Sequence, residues 1–97
     1  VDCVMALALI HHLSIGNNVP LEKVASLMAT LCRYLIIEFV PKEDSMVQRM
    51  LAAREDVFPD YAEANFRAAF STHFTIEAET GVAESARTVY LMKNNTL

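Results

Sequence analysis

Glycine is what this sequence most conspicuously runs short of: among 97 residues only Gly16 and Gly81 occur. Two isolated glycines exclude a glycine-rich turn that could cradle a phosphate, because such a loop needs several of them within a few residues. Cysteine is scarce as well. Cys3 and Cys32 lie in apolar surroundings and at no metal or redox spacing, which predicts reduced, buried thiols and a cytoplasmic location. His11, His12 and His73 lack ligand spacing and have no cysteine partner in register, so no metal site is expected. Basic charge is thin and scattered, with eight Lys and Arg against twelve Asp and Glu and a net charge of −4. Without a basic stripe or interleaved aromatics, nucleic acid is not an expected partner. His11 and His12 cut the longest apolar run short of the roughly 18 to 20 residues that a membrane span needs. No basic segment precedes that run as it would in a secretory leader, so no membrane partner is expected.

What is present is the composition of a globular chain, 54% apolar and 21% charged, long enough for one domain or part of one. The organising stretch is Val1-Asp2-Cys3-Val4-Met5-Ala6-Leu7-Ala8-Leu9-Ile10-His11-His12-Leu13, followed by a turn at Ser14 to Asn18. An apolar run without alternation reads as a strand, Val1 to Ile10, covered by helices on both faces and paired in parallel. Its polar carboxyl end is where open α/β sheets place their ligand crevice. A chain that opens on such a strand is expected to be one segment of a longer domain.

Pro20 can open a helix. Leu21, Val24, Ala25, Met28, Leu31 and Cys32 recur along it at helical spacing, with Glu22 in its first turn and Arg33 closing it. Tyr34 to Val40 is a second buried strand, ended by Pro41. Strand, helix, strand within about 40 residues predicts a right-handed crossover between parallel strands. Asp44 or Glu43 can cap a helix carrying Met46, Val47, Met50, Leu51 and Arg54, with a loop at Glu55 to Pro59. Asp60 and Glu63 form an acidic capping box for a helix with Ala62, Phe66, Ala69 and Phe70 on one face. Phe74 to Glu79 alternates as a strand with one wet face. Thr80 to Ala86 connects it, hairpin-fashion, to a last strand, Arg87 to Lys93. The fold class is therefore α/β, in the order β-α-β-α-α-β-β.

Few residues can carry chemistry. Adjacent residues of an extended chain point to opposite faces, so at most one of His11 and His12 faces a crevice. Glu38 is a carboxylate near the end of an apolar strand. It is either a general base near those histidines or an acceptor of backbone N–H groups. Met28, Met46 and Met50 read as core. Phe58-Pro59-Asp60-Tyr61 is either a lid or a loop packed by Phe58 onto the sheet.

Three segments together resemble a known family: Asp2-x-Val4-x-Ala6-Leu7-Ala8-Leu9-Ile10-His11-His12-Leu13, Tyr34-Leu35-Ile36-Ile37-Glu38-Phe39-Val40-Pro41, and Arg87-Thr88-Val89-Tyr90-Leu91-Met92. They look like the C-terminal half of a class I S-adenosylmethionine-dependent methyltransferase, and among these like the bacterial methyltransferases grouped with nodulation proteins. The resemblance implies a Rossmann-like sheet ordered three, two, one, four, five, seven, six, of which this chain supplies the fourth to seventh strands. Its own strands should then lie in the order first, second, fourth, third. The resemblance further implies S-adenosylmethionine as cofactor of the parent enzyme, touched here by Ala8 and Leu9. His11, His12 and Glu38 become candidate catalytic residues facing an unknown methyl acceptor. The family's glycine-rich turn and its acidic partner residue are not in this sequence, so the cofactor-holding half is expected upstream in the same chain. The segment alone is expected to be inactive and to bind no cofactor. Its first strand, deprived of a neighbour, is expected to drive self-association. Two alternatives stand beside this reading: a non-catalytic α/β binding or regulatory module, and another nucleotide-dependent α/β enzyme such as a dehydrogenase.

Overall fold

The computed structural model describes residues 2–52 and 58–95. Arg54 and the loop residues Glu55 to Val57 lie outside them. Among the described residues, four strands, β1 (Cys3–Ala6), β2 (Tyr34–Phe39), β3 (Phe74–Gly81) and β4 (Thr88–Asn94), and three α-helices, α1 (Leu21–Leu31), α2 (Ser45–Ala52) and α3 (Glu63–Ser71), follow along the chain in the order β1-α1-β2-α2-α3-β3-β4. The sheet order is β1-β2-β4-β3. β1 and β2 are parallel, with Cys3 opposite Tyr34 and Ala6 opposite Ile37, while β4 runs antiparallel to both β2 and β3. This is the order that the family resemblance implies, and it agrees with composition. β2 and β4 carry the densest apolar runs and take the two central places, leaving the edges to the short β1 and the acidic β3.

One face of the sheet is packed. Leu35 and Ile37 of β2 pair with Met92 and Tyr90 of β4, and all four are buried with Phe39 in a core shared with Val24, Ala25 and Met28 of α1 and with Phe66, Ala69 and Phe70 of α3. Phe66 is its hub, with its ring centroid 4.9 Å from that of Phe39, 4.6 Å from Phe70 and 5.3 Å from Tyr90. Such tilted aromatic pairs each add about 0.5–1.5 kcal/mol beyond the area they bury. Asn94 ties α1 to this core from β4. Its buried amide donates to the carbonyls of Ala29 at 2.8 Å and Cys32 at 3.0 Å, two of the acceptors that a helix end leaves without partners.

The other face is open. Met5, Ile36 and Leu91 form one row through the register of three strands, and Met5 is 64% exposed, Leu91 37%. The expectation of a strand buried on both sides from Val1 to Ile10 is therefore corrected. β1 has only four residues, and Cys3 at its start is exposed rather than buried. Among the described residues it has a single strand neighbour, and Met5 on its open face stays exposed. Cys32 is buried as expected, and burial pushes its thiol pKa up, which keeps it protonated and inert.

Other expectations shift at element ends. α1 stops at Leu31, so Arg33 lies beyond it; the Arg33 carbonyl instead accepts the N–H of Asn94. The Asp60–Glu63 capping box does not form, because Ala62 occupies the N-cap and Glu63 accepts the hydroxyl of Tyr90. Met46 is 40% exposed while Met28 is buried. β3 is exposed on both faces beyond Ile76, where a bulge at Glu77 breaks the alternation. No helix among the described residues is long and apolar enough to cross a membrane.

Replacing Asn94 with Ala should leave the Ala29 and Cys32 carbonyls without their donor and cost about 1–3 kcal/mol. A fall in the urea midpoint at unchanged slope would show this loss, whereas an unchanged midpoint would mean that the α1 end is held by other contacts.

Candidate functional site

The carboxyl ends of the two parallel strands and the start of β4 meet at one edge of the molecule, since β4 runs against β2 and Thr88 pairs with Phe39. Beyond β1 the chain does not stay extended. Leu7 and Ala8 make a turn in which Ala8 takes a left-handed conformation, φ 53°. This is an arrangement that costs a residue bearing a Cβ about 1 kcal/mol. The turn is held by Glu38, whose Oε1 accepts the Ala8 N–H at 2.8 Å. A helical segment starts directly afterwards, with the N–H groups of His12 and Leu13 both bonding to the Leu9 carbonyl. It widens into a single π-helical turn, His12–Gly16, closed by the Asn17 N–H on the His12 carbonyl. Turns of this rare kind recur at functional sites.

His11 and His12 thus sit on a helical turn and not on opposite faces of a strand, which corrects the extended reading. Their rings lie together, with centroids 4.2 Å apart and planes tilted by 37°. His11 is buried, His12 exposed. Burial, aided by the neighbouring His12 and Arg87 charges, holds the His11 pKa below its ordinary 6.5, so the ring is neutral at pH 7. Its Nδ1 is buried and has no partner among the described residues.

Arg87, which immediately precedes β4, is the cation of the site. Its Nη1 lies 3.4 Å from Glu38 Oε1, and its Nε and Nη2 grip both oxygens of Asp44, at 2.7 and 3.1 Å. This two-pronged bond holds the Asp44 carboxyl below the usual aspartate range and raises the Arg87 pKa. Asp44 also caps α2, with Oδ1 accepting the Met46 N–H at 2.9 Å. Tyr61 closes the same corner from the loop before α3, donating its hydroxyl to the Val40 carbonyl and stacking on Phe39 at 5.2 Å.

The structure therefore brings together His11, His12 and Glu38, all three of the residues singled out for catalysis. Glu38 is engaged as the backbone acceptor that was its second reading. Ala8 and Leu9, singled out for the cofactor, are both exposed, Leu9 at 37%. The Ala8 N–H is already committed to Glu38. Sequence reasoning missed Arg87 and the second role of Asp44. Topology was the signal that could have found Arg87, because the start of an antiparallel strand beside β2 must lie at the carboxyl end of β2. Phe58 and Tyr61 are both buried, so the segment at 58–61 is packed rather than raised.

Over 94 residues this chain is 45% identical to the nodulation protein NoeA of Rhizobium meliloti (strain 1021). The match takes in 97% of this chain and 20% of NoeA, so the chain spans about a fifth of the length of the curated relative it matches. No family model matches the chain, and no solved structure does.

The network makes stability depend on pH in two windows. His11 has a native pKa below 6.5, so on acidification the unfolded chain takes up a proton before the native one does. Stability should fall as pH drops from 6.5 through the lowered value. Asp44, held below 3.8 by Arg87, should cost further stability as pH falls through its own lowered value. Urea midpoints measured from pH 7.5 to 3 should lose the first phase in His11→Gln and the second in Asp44→Asn. Glu38→Gln, which keeps an oxygen for Ala8, should be milder than Glu38→Ala, which removes a charge-assisted bond and should cost about 2 kcal/mol. Equal losses would mean that the Ala8 turn does not depend on that oxygen.

Proposed function

We propose that this chain forms the acceptor-side half of an S-adenosylmethionine-dependent methyltransferase domain, transferring a methyl group to an acceptor whose identity is open. The observation that carries the reading is the sheet: two parallel strands, then β4 antiparallel in third place and β3 outside it. That order fits the fourth, fifth, seventh and sixth strands of the family that the sequence resembles. The histidine pair at the carboxyl end of the first of these strands supports it further.

S-adenosylmethionine would supply the electrophilic methyl group. Ala8 and Leu9 offer it an exposed contact surface and no free backbone donor at Ala8, so its adenosine and carboxylate would be held by an upstream half of the same chain. The work left to the residues present is to position the acceptor, exclude water and take a proton where the acceptor must lose one. His12, exposed and backed by the neutral His11 ring, is the group that we assign to that proton. Glu38, Asp44 and Arg87 hold the turn that presents it. Because those three charges are spent on one another, a non-catalytic binding or regulatory module is the second reading, and the same measurements separate the two.

In the full-length chain that carries this segment, His12→Ala should lower methyl transfer about 100-fold in kcat, the size of a general-base contribution, with KM for S-adenosylmethionine unchanged. Undiminished transfer in that variant would remove His12 from the chemistry, and a full-length chain that transfers no methyl group would favour the module. Calorimetry on residues 1–97 alone should detect no S-adenosylmethionine binding. Low-micromolar affinity would place the cofactor site within this segment and overturn its role as an acceptor half. The isolated segment should also self-associate through β1, whose outer edge has no strand partner among the described residues and whose neighbours Leu7 and Leu9 are exposed. Light scattering at micromolar concentration tests this, and a monomer would mean that the exposed edge is tolerated as it stands.

A further inference from the structure

A cleft of about 150 Å³, half open to solvent, lies between the end of the π-helical turn, the start of α1 and the segment at 58–61. Val19, Leu21, Phe58 and the ring of Tyr61 give it apolar walls. The Tyr61 hydroxyl takes no part there, being bonded to the Val40 carbonyl. The charged side chains of the described lining are two exposed carboxylates, Glu22 and Asp60, with no cation among them. Elsewhere in the fold Glu38, Asp44 and Glu79 are each held by an arginine, whereas Glu22 and Asp60 make no ion pair among the described residues. The cleft therefore combines a low-polarity hollow with a rim of one sign, and such a wall concentrates the field of the rim.

The rim calls for a cation, and the walls decide which kind. A divalent metal ion needs a cage of oxygen or nitrogen ligands, and no group of three or more His, Cys, Asp or Glu that could hold one occurs among the described residues. A bare ammonium holds water through its N–H groups, and apolar walls offer nothing in exchange for those bonds. An ammonium whose hydrogens are replaced by methyl groups has no such bonds to lose. It keeps its charge, presents an apolar surface and is well received by aromatic side chains. A dry cavity of about this volume in another protein holds a benzene ring, and a trimethylammonium group has similar bulk. We propose that this cleft binds the methylated ammonium head of a small organic cation, the methyl groups seated against Leu21, Phe58 and Tyr61 and the charge balanced by Glu22 and Asp60. The site stands apart from the methyl-transfer reading, since it needs neither a donor nor an upstream half.

Choline, its uncharged analogue with carbon in place of nitrogen, and ethanolamine serve as probes, titrated into the protein while amide, methyl and aromatic proton shifts are followed by NMR. Choline should give saturable shifts at Val19, Leu21, Phe58 and Tyr61. It should bind about fivefold or more tightly than the carbon analogue, the combined effect of two exposed ion pairs. Ethanolamine, which has the same charge but keeps its hydration, should bind at least about threefold more weakly than choline. Glu22→Gln and Asp60→Asn should each weaken choline about two- to fivefold and leave the carbon analogue unchanged. Absence of saturable shifts with choline overturns the proposal on the unmodified protein alone, whether or not the variants fold. So does a carbon analogue that binds as tightly, because the charge would then count for nothing, or an equally tight ethanolamine, because the apolar walls would. Unchanged choline binding in both variants, or equal weakening of choline and the carbon analogue, also overturns it.

Discussion

Glu38 is the constraint on which the rest of this structure depends. A carboxylate at the end of a buried strand must find donors or be expelled toward water. Here it finds them on two other parts of the chain. One oxygen takes the Ala8 N–H and so fixes a left-handed turn directly after β1. The same oxygen faces Arg87, whose remaining nitrogens clamp the Asp44 cap of α2. One side chain thereby coordinates the exit from β1, the entry to α2 and the entry to β4. The placement of the two histidines follows from it, because the turn that Glu38 holds aims the helical segment on which they sit.

Much of the fold was legible because it is written in local patterns. The apolar spacing of Leu21 to Met28 announces α1, and the β-branched and aromatic run at Tyr34 to Phe39 announces β2. The crossover rule makes β1 and β2 parallel, and the hairpin sets β4 against β3. The site was legible only in part. Ala8 gives no sign in sequence of a positive φ, since that conformation is imposed by a carboxylate thirty positions away. The histidines were read on an extended chain because an apolar run has no period that separates a strand from the start of a helix. Asp60 and Glu63 have the spacing of a capping box, yet the Tyr90 hydroxyl competes for Glu63. A tertiary hydrogen bond of that kind leaves no trace in a window of four residues.

Among the described residues the two faces of the sheet are covered unequally. The face with helices is filled by Phe66, Phe70 and Tyr90 to near-complete burial. The bare face leaves Met5 at 64% and Leu91 at 37% exposure.

The bulge at Glu77 gives the sheet a direction of growth. On the β3 side, the irregular register and the carboxylates of Glu77 and Glu79 spoil the flat ladder that another strand would need. On the β1 side, Cys3 to Ala6 is short but carries neither a bulge nor a charged side chain. Any strand that joins this sheet, from elsewhere in a longer chain or from a second molecule, therefore has one berth, beside Cys3 to Ala6. A sheet open at one margin and blunted at the other favours completion by a single partner over propagation into a fibre.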